Sequence, residues 1–209
     1  MSIPSSLTLV YFPFGGRAAP IRDAFHIGGI AFEDKHIDLD GFTAMKASGE
    51  LPFGAVPVLI VDGRMISQSS AILRYAGQLS GLYPSDPVYA LRVDEAMDGV
   101  DDMMLPMGAS IREEDAERKA AMRKDMAENS IPTNFARFEK LLLENGDTGY
   151  LVGDELTIAD LKLLHSVNKL TDGTLDGIPP SVIEPFTLLK QWRDNVTAAR
   201  AKRLELVAA

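Results

Sequence analysis

The chain has 209 residues, of which 46% are hydrophobic, a formal net charge of −9 and no cysteine. Length and apolar content suit a globular protein with a sizeable core in one or two domains, and they exclude a disordered chain. The acidic balance argues against nucleic acid or an anionic membrane as partner, and without cysteine there can be no disulfide, thiolate metal site or protein thiol nucleophile.

The first residues, Met1-Ser2-Ile3-Pro4-Ser5-Ser6, lack a basic segment leading into an apolar run. The longest strongly apolar run, Val56-Pro57-Val58-Leu59-Ile60-Val61, is too short to cross a bilayer, so the expectation is a cytoplasmic protein. Residues 7–12 read as a strand, 18–27 as a helix and 31–38 as a second strand. Two more strands, 57–61 and 64–67, flank Asp62-Gly63, a strong hairpin turn. Gln68-Ser69-Ser70 then opens a helical pattern through Ala71-Ile72-Leu73-Arg74-Tyr75-Ala76. The order is βαβ followed by ββα. A helical crossover implies a parallel pair and the hairpin adds antiparallel strands, giving a small mixed sheet flanked by helices.

The proline- and glycine-rich stretch 81–87 reads as a linker, so the expected domains are 1–80 and 88–209. Strand signals vanish after it. Val93, Met97, Val100, Met104, Met107 and Ile111 form one apolar stripe on a long helix, and Ile131, Phe135, Phe138 and Leu142 repeat the stagger, with Pro132 starting or kinking that segment. Thr157-Ile158-Ala159-Asp160 has the spacing of a capping box, so its carboxylate is read as a folding element rather than a catalytic one.

Chemistry is expected where the first strand ends, at Tyr11-Phe12-Pro13-Phe14-Gly15-Gly16-Arg17, because loops at the carboxyl ends of strands face the ligand crevice in open α/β sheets. By itself a tyrosine ending a strand is an ordinary packing residue. The stretch Leu51-Pro52-Phe53-Gly54-Ala55-Val56-Pro57 adds a second signal. The residue before a proline is pushed toward extended geometry, so Val56 can offer its backbone to a peptide-like ligand, with or without a cis bond to Pro57. The helix start at Gln68-Ser69-Ser70 has spare N–H groups suited to a carboxylate. Together these suggest a site for a small acidic peptide.

These residues, in this order, resemble the cytosolic glutathione S-transferases, most closely the sigma-like class that includes glutathione-dependent prostaglandin D synthases and S-crystallins. The resemblance spans nearly the whole chain. It rests on Leu9-Val10-Tyr11-Phe12 with Gly16-Arg17-Ala18, Leu51-Pro52-Phe53-Gly54 with Val56-Pro57, Gln68-Ser69, Val93-Asp94 through Asp101-Asp102, and Thr157-Ile158-Ala159-Asp160. It implies a thioredoxin-like α/β N-terminal domain, an all-α C-terminal domain and a homodimer.

The resemblance also implies roles. Tyr11 matches the tyrosine that donates a hydrogen bond to the glutathione sulfur. A free thiol with pKa about 8.5 is only roughly 3% thiolate at pH 7, and a charge-assisted bond of about 1.5–3 kcal/mol acting on the anion lowers that pKa by roughly one to two units. The thiolate then attacks an apolar electrophile, and no metal or organic cofactor is needed. Arg17 matches a cation near the thiol, or else a salt bridge fastening the first helix. Lys46 matches the partner of the glycyl carboxylate. Phe42 stands where a tryptophan is usual, and Gly54-Ala55-Val56 replaces Gly-Lys-Ile. Gln68 and Ser69 match the γ-glutamyl contacts, and Asp101 an aspartate reaching the amine of glutathione in the neighbouring subunit. The electrophile pocket is expected from Phe14 and Gly16 in one domain and Met104, Met107, Gly108 and Ile111 in the other. Ala109 lies where prostaglandin synthases carry a large aromatic. Asp94, Asp98, Asp101 and Asp102 share a helical face, read as solvated carboxylates with a divalent cation as the alternative. Two other readings stay open: a non-catalytic binding or structural protein of this fold, and a glutathione-dependent isomerase or peroxidase.

Overall fold

The computed structural model describes residues 4–208. Met1, Ser2 and Ile3, part of the segment read for a leader, lie outside the described residues, as does Ala209. The chain divides into two compact units between Pro84 and Ser85, within the stretch read as a linker, and residues from Lys202 onward group with the first unit. The sequence expectation had run the helical domain on to 209.

The first unit contains β1 (Leu7–Tyr11), α1 (Ala19–Ile27), β2 (Glu33–His36), α2 (Leu39–Ala47), β3 (Val58–Val61), β4 (Arg64–Ser67) and α3 (Ser69–Ser80). The sheet order is β2-β1-β3-β4, with β1 parallel to β2 and the other pairs antiparallel. Alternation sorts the strand residues by face. Val10 and Val58 join Leu51 in a cluster to which Phe42 and Met45 of α2 pack. On the other face, Leu9 and Leu59 are fully buried, as are Ile21 and Phe25 of α1 and Ile72 and Leu73 of α3. Helices α1 and α3 meet closely enough that a β-carbon on Gly28 would lie 2.5 Å from Cβ of Ser80. The hairpin turns through Asp62 and Gly63, both at positive φ, as a two-residue turn requires. The Val56-Pro57 bond is cis.

Helix α2 was not foreseen. None of its residues is fully buried, so it carries no clear apolar stripe; its start is set by Asp38, whose side chain accepts the N–H of Gly41 at 2.8 Å.

The second unit contains α4 (Pro87–Arg112), α5 (Ala116–Asp125), α6 (Ile131–Glu144), α7 (Ile158–Thr171) and most of α8 (Thr187–Ala208). On α4 the buried positions are Val93, Ala96, Met97, Val100, Met103, Met107 and Ser110. Met104 is only half-buried and Ile111 is 61% exposed, which corrects the expected stripe. The seam follows a seven-residue repeat (93, 100, 107 and 96, 103, 110), and a count of large apolar residues misses it because Ala96 and Ser110 are small. On α6, Ile131, Phe135, Phe138 and Leu142 are buried as the stagger requires, with a π-helical turn, Met126–Ser130, ahead of Pro132.

Thr157 and Asp160 form the capping box that opens α7. Asp160 is fully buried and accepts from the Leu151 N–H, the Thr157 N–H and hydroxyl, and the indole N–H of Trp192, all at 2.9–3.0 Å. Burial pushes its pKa up, while these donors hold it down against that. The carboxylate thus ties α7 to α8 from inside the core.

Candidate functional site

Tyr11 closes β1, where it registers with His36 of β2. Its side chain is 7% exposed, and its hydroxyl accepts the backbone N–H of Arg17 at 3.3 Å. Gly16 has φ of +47°, and a β-carbon there would lie 2.6 Å from the Tyr11 hydroxyl, so only glycine lets the loop come this close. The rings of Phe12 and Phe14 stack with centroids 5.3 Å apart, and Tyr11 meets both edge-on. Phe14 remains 58% exposed.

Arg22, one turn into α1, fastens this loop. It grips both carboxylate oxygens of Asp34 on β2 at 2.9 and 3.1 Å. Its other N–H groups reach the carbonyls of Phe14 at 2.7 Å and Phe12 at 3.0 Å. His36 shares the Asp34 carboxylate at 3.1 Å. Neither Arg22 nor Asp34 was singled out from the sequence; the available signal was an arginine set among the buried residues Pro20, Ile21, Asp23, Ala24 and Phe25.

Around the same strand ends, Gln68 caps α3 in a conformation rare for a non-glycine residue, φ 77° and ψ 103°. Strain of this kind costs about 1–3 kcal/mol and clusters at ligand sites. The Arg17 guanidinium lies 3.5 Å from the Ser69 hydroxyl, which links the loop after β1 to the start of α3. Gly54 closes a turn by donating to the Leu51 carbonyl at 3.0 Å, and Lys46 lies over that turn, its Cε 3.8 Å from where a Gly54 β-carbon would be. Ala55 is exposed and Val56 half-buried against the Val10 cluster. Phe42 is held in that cluster and meets Phe12 edge-on at 5.7 Å. The first unit therefore gathers Tyr11, Arg17, Gln68 and Ser69 around one end of its sheet.

The remaining expected residues lie on α4 in the second unit. Met107 is buried, Met104 and Gly108 half-buried and Ile111 exposed. Asp101 forms an ion pair with Lys162 of α7 at 2.6 Å, and Lys162, a buried lysine, also donates to the Met97 carbonyl at 2.9 Å. Nothing in the sequence pattern marked Lys162, which interrupts the apolar run of α7. An apolar hollow of about 340 Å³ lies instead against Leu59, Ile66, Ile72 and Tyr75, and none of the residues expected at the electrophile lines it. Among the described residues no group of three or more His, Asp or Glu is arranged to hold a metal ion, and no helix is long and apolar enough to cross a membrane.

This geometry brings together a hydroxyl, a guanidinium and a helix start, groups whose chemistry suits a small acidic ligand. Residues 5–78 match the family model described as glutathione S-transferase, N-terminal domain, and residues 101–201 the model described as glutathione S-transferase, C-terminal domain. The chain is 32% identical over 192 residues to glutathione S-transferase 3 of Caenorhabditis elegans, covering 90% of this chain and 89% of that one. It is 36% identical over 193 residues to the hematopoietic prostaglandin D synthase of Gallus gallus, covering 92% and 91%. The solved structure of prostaglandin synthase D of Nilaparvata lugens superimposes with a TM-score of 0.83 at 27% identity, covering 96% of each chain.

Proposed function

Since the chain belongs to the glutathione S-transferase family, we propose that it is a transferase of the sigma-like, tyrosine type, in which Tyr11 stabilises the thiolate of glutathione for attack on apolar electrophiles. That the chain is a glutathione transferase follows from its family models and relatives. The tyrosine mechanism is supported by one observation above the rest: the Tyr11 hydroxyl stands at the carboxyl end of β1, bounded by the backbone of Gly16 and Arg17. An oxygen accepting an N–H keeps its own proton for a further partner. In this reading the thiol proton passes to water and the Tyr11 hydroxyl donates to the sulfur anion. The sulfur lone pair then forms a bond to electrophilic carbon as the leaving group departs with its electron pair.

Arg17, Gln68, Ser69, Lys46, the Gly54-Ala55-Val56 turn and Phe42 are the glutathione contacts of this reading. Asp101 carries the smallest share, because its charge is already met by Lys162 within the chain. The 36% identity to the Gallus prostaglandin D synthase supports the sigma-like assignment. The working form is taken as a cytoplasmic homodimer, tested by light scattering at assay concentration.

The deciding experiment is conjugation of glutathione to an aryl halide over pH 6–8, for wild type and Tyr11→Phe. The reading expects a slower variant whose rate recovers as pH rises. Equal, near-background rates for both, with retention on immobilised glutathione, would favour a non-catalytic binding protein.

A further inference from the structure

We infer that Arg22 is a positioning residue for the reaction, clamping the loop that leaves β1 so that the Tyr11 hydroxyl is held where it serves the sulfur. The inference rests on the reading of Tyr11 above. Arg22 has a side chain only 14% exposed and makes four hydrogen bonds, two to the Asp34 carboxylate and one each to the carbonyls of Phe12 and Phe14. The bonds to Asp34 tie α1 to β2 and hold the guanidinium fork in place. The two carbonyl bonds do something else: they fix the backbone on either side of Pro13, a residue with no N–H of its own to anchor it.

What hangs on those carbonyls is the environment of Tyr11. Phe12 and Phe14 carry the stacked rings that Tyr11 meets edge-on. Two residues beyond Phe14, the Gly16 backbone closes on the Tyr11 hydroxyl and the Arg17 N–H donates to it. The guanidinium itself stands 5.9 Å from the centroid of the Tyr11 ring. The hydroxyl thus has one place to be, and Arg22 sets its walls. Arg17, the other cation nearby, turns to Ser69 instead, and the charge of Arg22 is met by Asp34, which His36 also touches. A guanidinium fork can reach two carbonyls and a carboxylate at once, whereas a lysine ammonium at the same position cannot.

The test is a pH titration of the ultraviolet thiolate absorbance of bound glutathione in wild type, Tyr11→Phe, Arg22→Lys and the double variant, with kcat and KM alongside. Arg22→Lys, which keeps the charge and loses the fork, is expected to raise the pKa of the bound thiol by about half to one unit, a roughly three- to tenfold loss of thiolate below that pKa. Its KM for glutathione should change less than about twofold. The double variant should titrate like Tyr11→Phe, because Arg22 acts through that hydroxyl. A wild-type titration for Arg22→Lys beside a shifted Tyr11→Phe overturns the positioning role and leaves Tyr11 standing, as does a further rise in the double variant. A wild-type titration for Tyr11→Phe itself removes the reading of Tyr11 and this inference with it. Should Arg22→Lys fail to fold, Asp34→Asn loosens the same fork from β2; a smaller rise in the same direction supports the role, and no rise overturns it.

Discussion

Gly16→Ala puts the geometry around Tyr11 to a direct test, because it adds one methyl group and removes no polar atom. A β-carbon at this position would lie 2.6 Å from the Tyr11 hydroxyl and 3.2 Å from the Phe14 ring. Carbon contacts are comfortable at about 3.5–4 Å, so the hydroxyl or the loop must give way by roughly 1 Å. The ring cannot simply retreat, since it is 7% exposed and flanked by Phe12, Phe14 and the Arg22 guanidinium. The backbone at φ +47° also disfavours any side chain, by about 1–2 kcal/mol. Two effects follow. Stability to urea should fall by about 1–2 kcal/mol, from the backbone alone. Activity should fall by the hydrogen bond to sulfur that a displaced hydroxyl cannot make, about 1.5–3 kcal/mol or roughly 10- to 150-fold at pH 6.5. The assay is the initial rate with an aryl halide at saturating glutathione across pH 6–8. The deficit should shrink as pH rises, because unassisted ionisation of the thiol takes over. A folded Gly16→Ala protein with wild-type rates at pH 6.5, or with the same deficit at every pH, would refute the reasoning.

Three further outcomes are expected. Asp160→Ala removes the acceptor of the Leu151, Thr157 and Trp192 donors from the core, and should cost about 3–5 kcal/mol in urea unfolding. The Asp160 pKa is raised in the folded state above its ordinary 3.8, so the folded chain holds that proton more readily than the unfolded chain. Its contribution is therefore largest at low pH and declines as pH rises above about 4, and the gap between wild type and Asp160→Ala should narrow in the same sense between pH 4.5 and 7.5. At the α1–α3 contact, Gly28→Ala places a β-carbon 2.7 Å from the backbone of Ser80, and the helices must part; a loss of about 1–3 kcal/mol is expected by thermal unfolding. In the ion pair between α4 and α7, Asp101→Ala should cost about 2–3 kcal/mol and Lys162→Met less than about 1. The side chains are 39% and 10% exposed respectively, so losing Asp101 takes a charge partner from a buried ammonium, whereas losing Lys162 takes one from a carboxylate that water can reach. Equal costs in a urea series would contradict this.

Features set by neighbours along the chain were legible in the sequence. Asp62-Gly63 turns the hairpin because its positive φ angles suit those residue types, and Thr157 and Asp160 open α7 because a capping box needs only residues three apart. The buried stripe of α6 could likewise be counted off, since its large apolar residues themselves mark the buried face. Legibility failed where the deciding partner lay far away in sequence or the signal was small. Helix α2 rests on a cap and partly buried side chains, and the seam of α4 runs through Ala96 and Ser110, which add little to any count of apolar residues.

The candidate site divides along the same line. Tyr11, Arg17, Gln68 and Ser69 could be named from local motifs, because a strand end, a glycine-bearing loop and a helix start are each written within a few residues. Only the tertiary structure decided that Arg22 grips Asp34 together with the carbonyls of Phe12 and Phe14, that Gly16 closes on the Tyr11 hydroxyl, and that Asp101 meets Lys162, 61 residues away. Side-chain chemistry and backbone preference are properties of the chain in order. Which charge meets which, and what water is left between them, depends on how distant segments pack.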